Sequence, residues 1–191
     1  LKELEEYASE HNVPIVHKEV SDLLKVLLKL QKPKRILEVG CAIGYSSILF
    51  ASVLDEDVEI ITVERNEKMI EKAKENIKLA GFENNITILE GDAEELLKEV
   101  EGSFDMIFMD AAKGQYTEYY NPVKKLLKNG AVLMSDNVLF KGMVANKELV
   151  QRNKRGIVND LMDFNKTLSE DKDFETTFIP MGDGVAISIK R

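Results

Sequence analysis

Short apolar segments alternate with amphipathic segments along most of this chain, and that alternation predicts its fold. Five apolar runs have the length of buried strands, and they lie at 35–39, 58–63, 86–90, 104–109 and 131–135. Four amphipathic segments between and after them are predicted helices, at 46–54, 67–80, 93–100 and 115–128. Because the strand segments are apolar throughout, as in "DMIFMD" and "AVLMSD", they favour a parallel sheet with helices on both faces.

Both ends of the chain depart from this alternation. Two N-terminal helices are predicted at 1–11 and 18–31, separated by Val13-Pro14-Ile15. A long helix at 146–168 and an antiparallel hairpin, 174–180 with 185–190, are predicted to close the chain. The result is an open α/β sheet, in which ligands bind beyond the carboxyl ends of the strands.

Length and charge fit a single domain over residues 1–191, with residues 1–32 as a helical cap. No apolar run is long enough to span a bilayer, and the single cysteine fits a reducing compartment, so we expect a cytoplasmic protein without a membrane partner. The net charge of −8 opposes nucleic acid unless a local basic patch exists. The chain begins with Leu1, and we expect natural N-terminal residues to be missing.

The first strand runs into a glycine-bearing turn, "RILEVGCAIGY" at 35–45. Gly40 lets the backbone turn beside a ligand and Gly44 opens the next helix, although a tight turn without a ligand fits the same residues. Ala42 departs from the strict pattern of dinucleotide-binding loops. Glu38 would oppose the pyrophosphate of NAD and would suit a cation such as S-adenosylmethionine. We expect Glu38 to act directly or to brace the loop through backbone N–H groups.

Two acidic residues after the next strands indicate an adenosine ligand. Glu64 ends the second strand at about the distance past a glycine loop where carboxylates accept hydrogen bonds from ribose hydroxyls, with a solvated helix cap as the alternative. Asp92 precedes Ala93 after the third strand. It could bind the adenine amino group, cap the helix that starts at Ala93, or do both.

Polar side chains also follow the fourth and fifth strands, which are neighbours in a sheet of this type. Asp110 follows one strand, and Asp136 and Asn137 follow the other, so their oxygens should converge. Oxygen ligands without clustered His or Cys suit Mg²⁺, or another hard ion such as Ca²⁺ or Mn²⁺. Independent helix-capping acids are the alternative.

Lys113 lies in the segment that follows Asp110. Beside a metal ion and a cationic cofactor its amine would lose proton affinity, which makes it a candidate general base. A surface lysine at the sheet edge is the alternative.

A basic segment follows the fifth strand. Residues 141–155 hold five basic side chains and one acidic side chain, a local balance of +4, and the basic ones are Lys141, Lys147, Arg152, Lys154 and Arg155. Such a rim could contact phosphates, or it could be a solvated helix face.

The order of "RILEVGCAIGYSS", "TVERN", "GDA", "FMDAAKGQY" and "SDNVLFKG" resembles the metal-dependent catechol and caffeoyl-CoA O-methyltransferases over nearly the whole chain. The resemblance implies the class I methyltransferase fold, which is Rossmann-like. Its seven-stranded, mostly parallel sheet has the order 3-2-1-4-5-7-6 with strand 7 antiparallel. It also implies S-adenosylmethionine and a divalent cation as cofactors, and a homodimer.

Carried to single residues, the resemblance implies two groups of site residues. The cofactor would meet Val16, Glu38, Gly40, Gly44, Tyr45, Ser46, Glu64, Asp92, Ala93 and Asp110. The metal ligands would be Asp110, Asp136 and Asn137, with Lys113 as the base.

Within the family, the motifs look most like a bacterial branch that methylates 5-hydroxyuridine at the tRNA wobble position. The sequence therefore predicts a tRNA anticodon stem-loop as the substrate, contacted by Lys141, Arg152, Lys154 and Arg155. A small-molecule enzyme acting on catechol-like vicinal diols is the alternative. An NAD-linked oxidoreductase and a non-catalytic binding module are more distant ones.

Overall fold

A computed structural model describes residues 1–191 as a seven-stranded sheet covered by helices. The strands are β1 Arg35–Val39, β2 Glu59–Glu64, β3 Ile86–Glu90, β4 Phe104–Met109, β5 Leu127–Asp136, β6 Phe174–Ile179 and β7 Val185–Lys190. Their order is β3-β2-β1-β4-β5-β7-β6. Strands β1 to β5 pair in parallel, and β7 is antiparallel to both of its neighbours. The predicted fold class and strand order are confirmed.

Seven helices cover the two faces of the sheet. They are α1 Lys2–His11, α2 Lys18–Gln31, α3 Tyr45–Val53, α4 Glu67–Ala80, α5 Ala93–Glu99, α6 Tyr116–Leu126 and α7 Arg155–Glu170. Two apolar clusters result, one with α2, α3 and α4 and one with α5, α6 and α7. In β4, Met106 and Phe108 face the first cluster while Ile107 and Met109 face the second. Burial on both faces is the reason that the central strands carry apolar side chains on each of them.

The predicted long helix at 146–168 is wrong at its start. Two short 3₁₀ turns, Lys147–Leu149 and Arg152–Lys154, precede α7, which begins only at Arg155. Val150 and Gln151 are extended between these turns, with ψ angles of 109° and 142°. The cause is that residues 146–154 lack an apolar face at helical spacing, so no packing holds them in a helix.

The N-terminal helices pack against the first half of the sheet. Val20, Leu24 and Leu28 of α2 are fully buried in the cluster with α3 and α4. None of the helices combines the length and the apolar character that crossing a bilayer requires.

Candidate functional site

The loop after β1 touches the end of β4, and this contact explains its first glycine. Gly40 has a φ angle of 104°, and a Cβ atom there would lie 2.2 Å from the Asp110 carbonyl oxygen. Only glycine allows so close an approach, so Gly40 brings the two strand ends together. The N–H groups of Gly40 and Cys41 donate to the Val63 carbonyl at 3.0 and 3.2 Å, which fastens the loop to β2.

Glu38 lies beneath this loop and is fully buried. Its Oε2 accepts hydrogen bonds from the hydroxyls of Ser47 and Thr62. Burial raises the pKa of Glu38 to about 7, and these hydroxyls oppose the rise. The prediction that Glu38 braces the loop through backbone N–H groups is wrong, because its carboxylate faces hydroxyl groups of α3 and β2 in the interior.

Backbone bracing of the loop comes from Glu64 instead. Its Oε2 accepts the Ala42 N–H, and its Oε1 accepts the N–H groups of Arg65 and Asn66, each at 2.9 Å. Ala42 has a φ angle of 45°, a left-handed conformation uncommon for a residue with a side chain. The Glu64 carboxylate therefore holds the turn in shape before any ligand binds.

Asp92 is engaged in capping α5. Its Oδ1 accepts the Glu94 N–H and its Oδ2 accepts an N–H of the Arg65 guanidinium, both at 2.9 Å. The Glu94 hydrogen bond, followed by that of Arg65, lowers the pKa of Asp92. Of the two predicted roles of Asp92, this geometry supports the helix cap and gives no support to the adenine contact.

A cavity of about 410 Å³ lies beyond the carboxyl ends of the strands. Its volume is within the range of about 300–1,000 Å³ that is typical of small-molecule sites. The predicted site residues that line it are Val16, Gly40, Tyr45, Ser46, Glu64, Ala93, Asp110 and Lys113. The other predicted cofactor and metal residues lie outside the lining, namely Glu38, Gly44, Asp92, Asp136 and Asn137, and so do the predicted RNA contacts Lys141, Arg152, Lys154 and Arg155.

Sequence reasoning missed several residues of the cavity wall, namely Arg65, Asn66, Met69 and Tyr119. Arg65 and Asn66 directly follow Glu64, so their position at a strand end was a usable signal. Nothing in the sequence distinguished Met69 or Tyr119 from ordinary helix-face residues, since only the packing of α4 and α6 brings them to the cavity.

The predicted metal ligands lie at the ends of β4 and β5. Met109 pairs with Ser135, so Asp110 and Asp136 follow directly from paired positions. Burial raises the pKa of Asp136 to about 7, and the charge of Asp110 adds to the rise. Burial also raises the pKa of Asp110, although the Lys113 Nζ lies 3.6 Å from its Oδ1. This pair of acids is therefore short of positive charge.

Asn137 completes the predicted ligand set beside Asp136. It is 7% exposed with a φ angle of 59°, and its N–H donates to Asp136 Oδ1 at 2.7 Å. No group of three or more His, Cys, Asp or Glu side chains forms a metal site in the chain. Two carboxylates and one amide suit a hard cation that keeps water or substrate oxygens among its ligands.

His17 was not predicted as a site residue, yet it lies close enough to Asp110 and Asp136 to oppose slightly the rise of their pKa values that burial causes. His17 precedes α2, and its ring and Cβ lie against Gly182 in the turn between β6 and β7. The sequence carried no signal for this proximity, because residues far apart in the chain create it.

The predicted basic rim lies between β5 and α7. Its cations are exposed or half-exposed, and none forms an ion pair with an acidic side chain: Lys141, Lys147, Arg152, Lys154 and Arg155. Their charges are free for a partner.

Comparison with known proteins assigns the family. The profile of the O-methyltransferase family matches residues 1–191, which is the whole chain. A caffeoyl-CoA O-methyltransferase of Populus kitakamiensis is 35% identical over 171 residues, covering 86% of this chain and 73% of that protein. The chain belongs to the O-methyltransferase family.

Solved structures of other O-methyltransferases share the fold closely. A Staphylococcus aureus protein, provisionally described as a caffeoyl-CoA O-methyltransferase, is 42% identical with a TM-score of 0.94, covering 100% of this chain and 91% of that chain. The SAH-bound methyltransferase PaMTH1 of Podospora anserina is 30% identical with a TM-score of 0.85, covering 93% and 80%. The predicted class, an S-adenosylmethionine-dependent O-methyltransferase, is confirmed. The two relatives whose names include a substrate are both of the caffeoyl-CoA type, and they give no support to the predicted tRNA substrate.

Proposed function

We propose that this O-methyltransferase methylates one hydroxyl of a catechol-like vicinal diol with the help of a divalent cation. One observation carries the proposal: half-buried Asp110 and buried Asp136 lie at adjacent strand ends with raised pKa values, and Asp110 also lines the cavity. Two neighbouring oxygens of a diol match a cation held there. The caffeoyl group named for the Populus kitakamiensis relative is itself a catechol.

The cavity is the proposed site of S-adenosylmethionine. Glu64 would receive the ribose hydroxyls, because its two oxygens have about four lone-pair sites and backbone N–H groups take three. Ala93 would lie near the adenine, and Tyr45 and Ser46 near the methionine part. Glu38 would act through α3 and β2 rather than by contact with the cofactor, because it is fully buried.

Asp110, Asp136 and Asn137 would hold Mg²⁺, Mn²⁺ or Ca²⁺. When bound, such an ion supplies the positive charge that lowers the pKa of an acceptor hydroxyl. These residues fit the ion because the acidic pair lacks a sufficient counter-charge, and because the Asn137 side chain makes no hydrogen bond with another protein group.

Lys113 is the proposed proton acceptor. Its side chain lines the cavity beside Asp110 and is 27% exposed, so a substrate hydroxyl can reach its amine. A lysine there takes the proton of the acceptor hydroxyl or holds the resulting oxyanion.

Methyl transfer from labelled S-adenosylmethionine to catechol, with Mg²⁺ or with excess chelator, tests the proposal. We expect transfer with the ion and none with the chelator. Cofactor binding should persist in chelator, because the cofactor residues do not depend on the ion. Full turnover in excess chelator would refute the metal role.

A tRNA anticodon stem-loop with 5-hydroxyuridine is the second candidate substrate, and the unpaired cations of residues 141–155 favour it. Replacing Arg152, Lys154 and Arg155 by Ala should then weaken binding of the stem-loop and reduce its salt dependence. Catechol methylation by the same variant serves as the control and should persist. If the three replacements leave the affinity for the stem-loop unchanged, the vicinal diol is the sole remaining candidate substrate.

The homodimer and the cytoplasmic location stay predictions. Val26 and Leu30 of α2 are 55% and 77% exposed, so this helix offers an apolar surface on which to test the dimer. If α2 forms the interface, Leu30→Glu should convert a dimer to a monomer in light scattering. A variant with unchanged mass would exclude this surface.

A further inference from the structure

A buried tyrosine hydroxyl lies between the ends of the two strands that carry the acidic pair. Tyr116 is the first residue of α6 and is 0% exposed. Its hydroxyl lies 3.1 Å from the Met109 carbonyl oxygen and 3.0 Å from the Asp136 carbonyl oxygen. Met109 directly precedes Asp110, so this one hydroxyl bridges the backbone on which both carboxylates are mounted.

The rest of Tyr116 is held firmly from the opposite side. Its backbone N–H donates to Asp160 Oδ2 of α7 at 3.1 Å. Its ring packs edge-on against Phe164, with 5.3 Å between the ring centroids. The hydroxyl therefore cannot follow a movement of either strand end without disturbing the packing of α6 on α7.

The hydroxyl stays a donor in this place. Burial raises the pKa of Tyr116 well above its usual range, and the charges of Asp110 and Asp136 add to the rise. A phenol has one proton to share between the two carbonyls. Without it, the two carbonyl oxygens would lose the one side-chain donor that they share, and we expect the strand ends to move apart.

We propose that Tyr116 is a positioning residue that fixes the spacing of Asp110 and Asp136, and thereby sets the affinity of this site for a divalent cation. The inference rests on the proposed function, since it requires an ion between the two carboxylates. Tyr116 touches neither the cavity nor the reacting atoms, so its effect passes through the backbone of the two strand ends.

The chain offers a matched control on the same helix. Tyr120 also packs edge-on against Phe164, and its hydroxyl donates to Asp171 Oδ2 at 2.5 Å. Tyr116→Phe and Tyr120→Phe each remove one phenol hydroxyl, but only the hydroxyl of Tyr116 contacts the strand ends. Asp160→Ala is a second test variant, because it removes the acceptor of the Tyr116 N–H while leaving the tyrosine in place.

The experiment measures Mn²⁺ binding by electron paramagnetic resonance, S-adenosylmethionine binding by calorimetry, and Tm. We expect Tyr116→Phe to weaken Mn²⁺ binding by about tenfold, as for other residues that orient metal ligands. Asp160→Ala should also weaken Mn²⁺ binding, but by less, and Tyr120→Phe should leave Mn²⁺ binding unchanged. Cofactor affinity should be the same in all variants, and Tyr116→Phe and Tyr120→Phe should lower Tm alike.

Three results would overturn the inference, and they differ in what else they overturn. Wild-type Mn²⁺ affinity in both Tyr116→Phe and Asp160→Ala would refute the positioning role alone. Absence of Mn²⁺ binding by the wild-type protein would overturn the proposed metal site and this inference with it. Equal weakening in Tyr116→Phe and Tyr120→Phe would reduce the effect to general stability and also refute it.

Discussion

The two halves of the candidate site differ in the donors and charges that surround their carboxylates. In the cofactor half, beyond β1 to β3, Glu64 and Asp92 accept hydrogen bonds from backbone N–H groups and from Arg65. In the acceptor half, beyond β4 and β5, Asp110 has Lys113 as its sole ion-pair partner and Asp136 accepts only the Asn137 N–H, while burial and the charge of Asp110 raise the pKa of Asp136. The first half is satisfied by the protein itself, and the second is short of positive charge.

This difference predicts how each half responds when its ligand binds. Hydrogen bonds from the backbone preorganise the cofactor half, so binding there should need little rearrangement. The acceptor half holds two acids whose pKa values are raised, so any cation that enters gains from relieving their repulsion. We therefore expect turnover to depend on the ion in the acceptor half, and cofactor affinity to depend on the hydrogen bonds of the cofactor half.

The largest effect should come from Asp136→Asn, which removes one charge of the acceptor half at nearly constant volume. We expect no detectable turnover with Mg²⁺, because the site loses a ligand and half of its acidic pair. Affinity for S-adenosylmethionine in calorimetry should not change, since Asp136 does not line the cavity. Chelated wild-type protein is the control and should behave alike. Wild-type turnover in the variant would contradict the proposal that the acceptor half holds an ion.

Replacement of Lys113 separates two ways of assisting the acceptor. Lys113→Ala should reduce kcat by about 10²–10⁴-fold with little change in KM, as expected for a lost general base. Lys113→Arg keeps the charge but cannot release its proton. An arginine variant as slow as the alanine variant would support a role of Lys113 in proton transfer, whereas an active arginine variant would favour stabilisation of the oxyanion. A pH–rate profile that Lys113→Ala leaves unchanged would contradict its role as base.

Glu64→Gln tests the cofactor half. Hydrogen bonds to a charged group contribute about 1.5–3 kcal/mol, so we expect the Kd of S-adenosylmethionine to rise about tenfold or more. Mn²⁺ affinity should be unaffected. Asp92→Asn is the matched control: it changes a carboxylate that caps α5 outside the cavity lining, and it should alter the cofactor Kd less. Equal effects of the two variants would argue against the assignment of the ribose to Glu64.

The smallest effect should be on the pH dependence of stability in Glu38→Gln. The pKa of Glu38 is about 7 in the folded protein and 4.5 for an ordinary carboxyl, so the folded state binds an extra proton between these values. The stabilisation is complete below pH 4.5 and is lost as pH rises to about 7. The variant should therefore lose less Tm between pH 5 and pH 7.5 than the wild type. Parallel Tm curves would show that Glu38 does not titrate in this range.

Much of the fold was predictable because burial produces apolar patterns that are visible within short stretches of sequence. Strands covered on both faces place apolar side chains on each of them, as residues 106–109 of β4 do, and helices such as α4 repeat their apolar residues at helical spacing. The segment at 146–154 was mispredicted as helix because its charged residues suit an exposed helix, whereas only packing decides whether one forms.

The site was predictable to a smaller extent, and the errors concern partners rather than positions. The acids after β4 and β5 were found from their place at strand ends. The hydroxyl partners of Glu38, the contact of Arg65 with Asp92 and the proximity of His17 to the acidic pair were not. Each of these contacts depends on which side chains of distant segments meet in three dimensions.

The sequence by itself determined the order of strands and helices along the chain, the turn at Gly40 and the acids that follow the strands. Only the tertiary structure decided which of those acids have several donors and which are buried near another acid, and that Tyr116 joins the ends of β4 and β5. The physical reason is that apolar periodicity is a local property of the chain, whereas the charge balance of a carboxylate depends on groups that folding brings within a few ångströms of it.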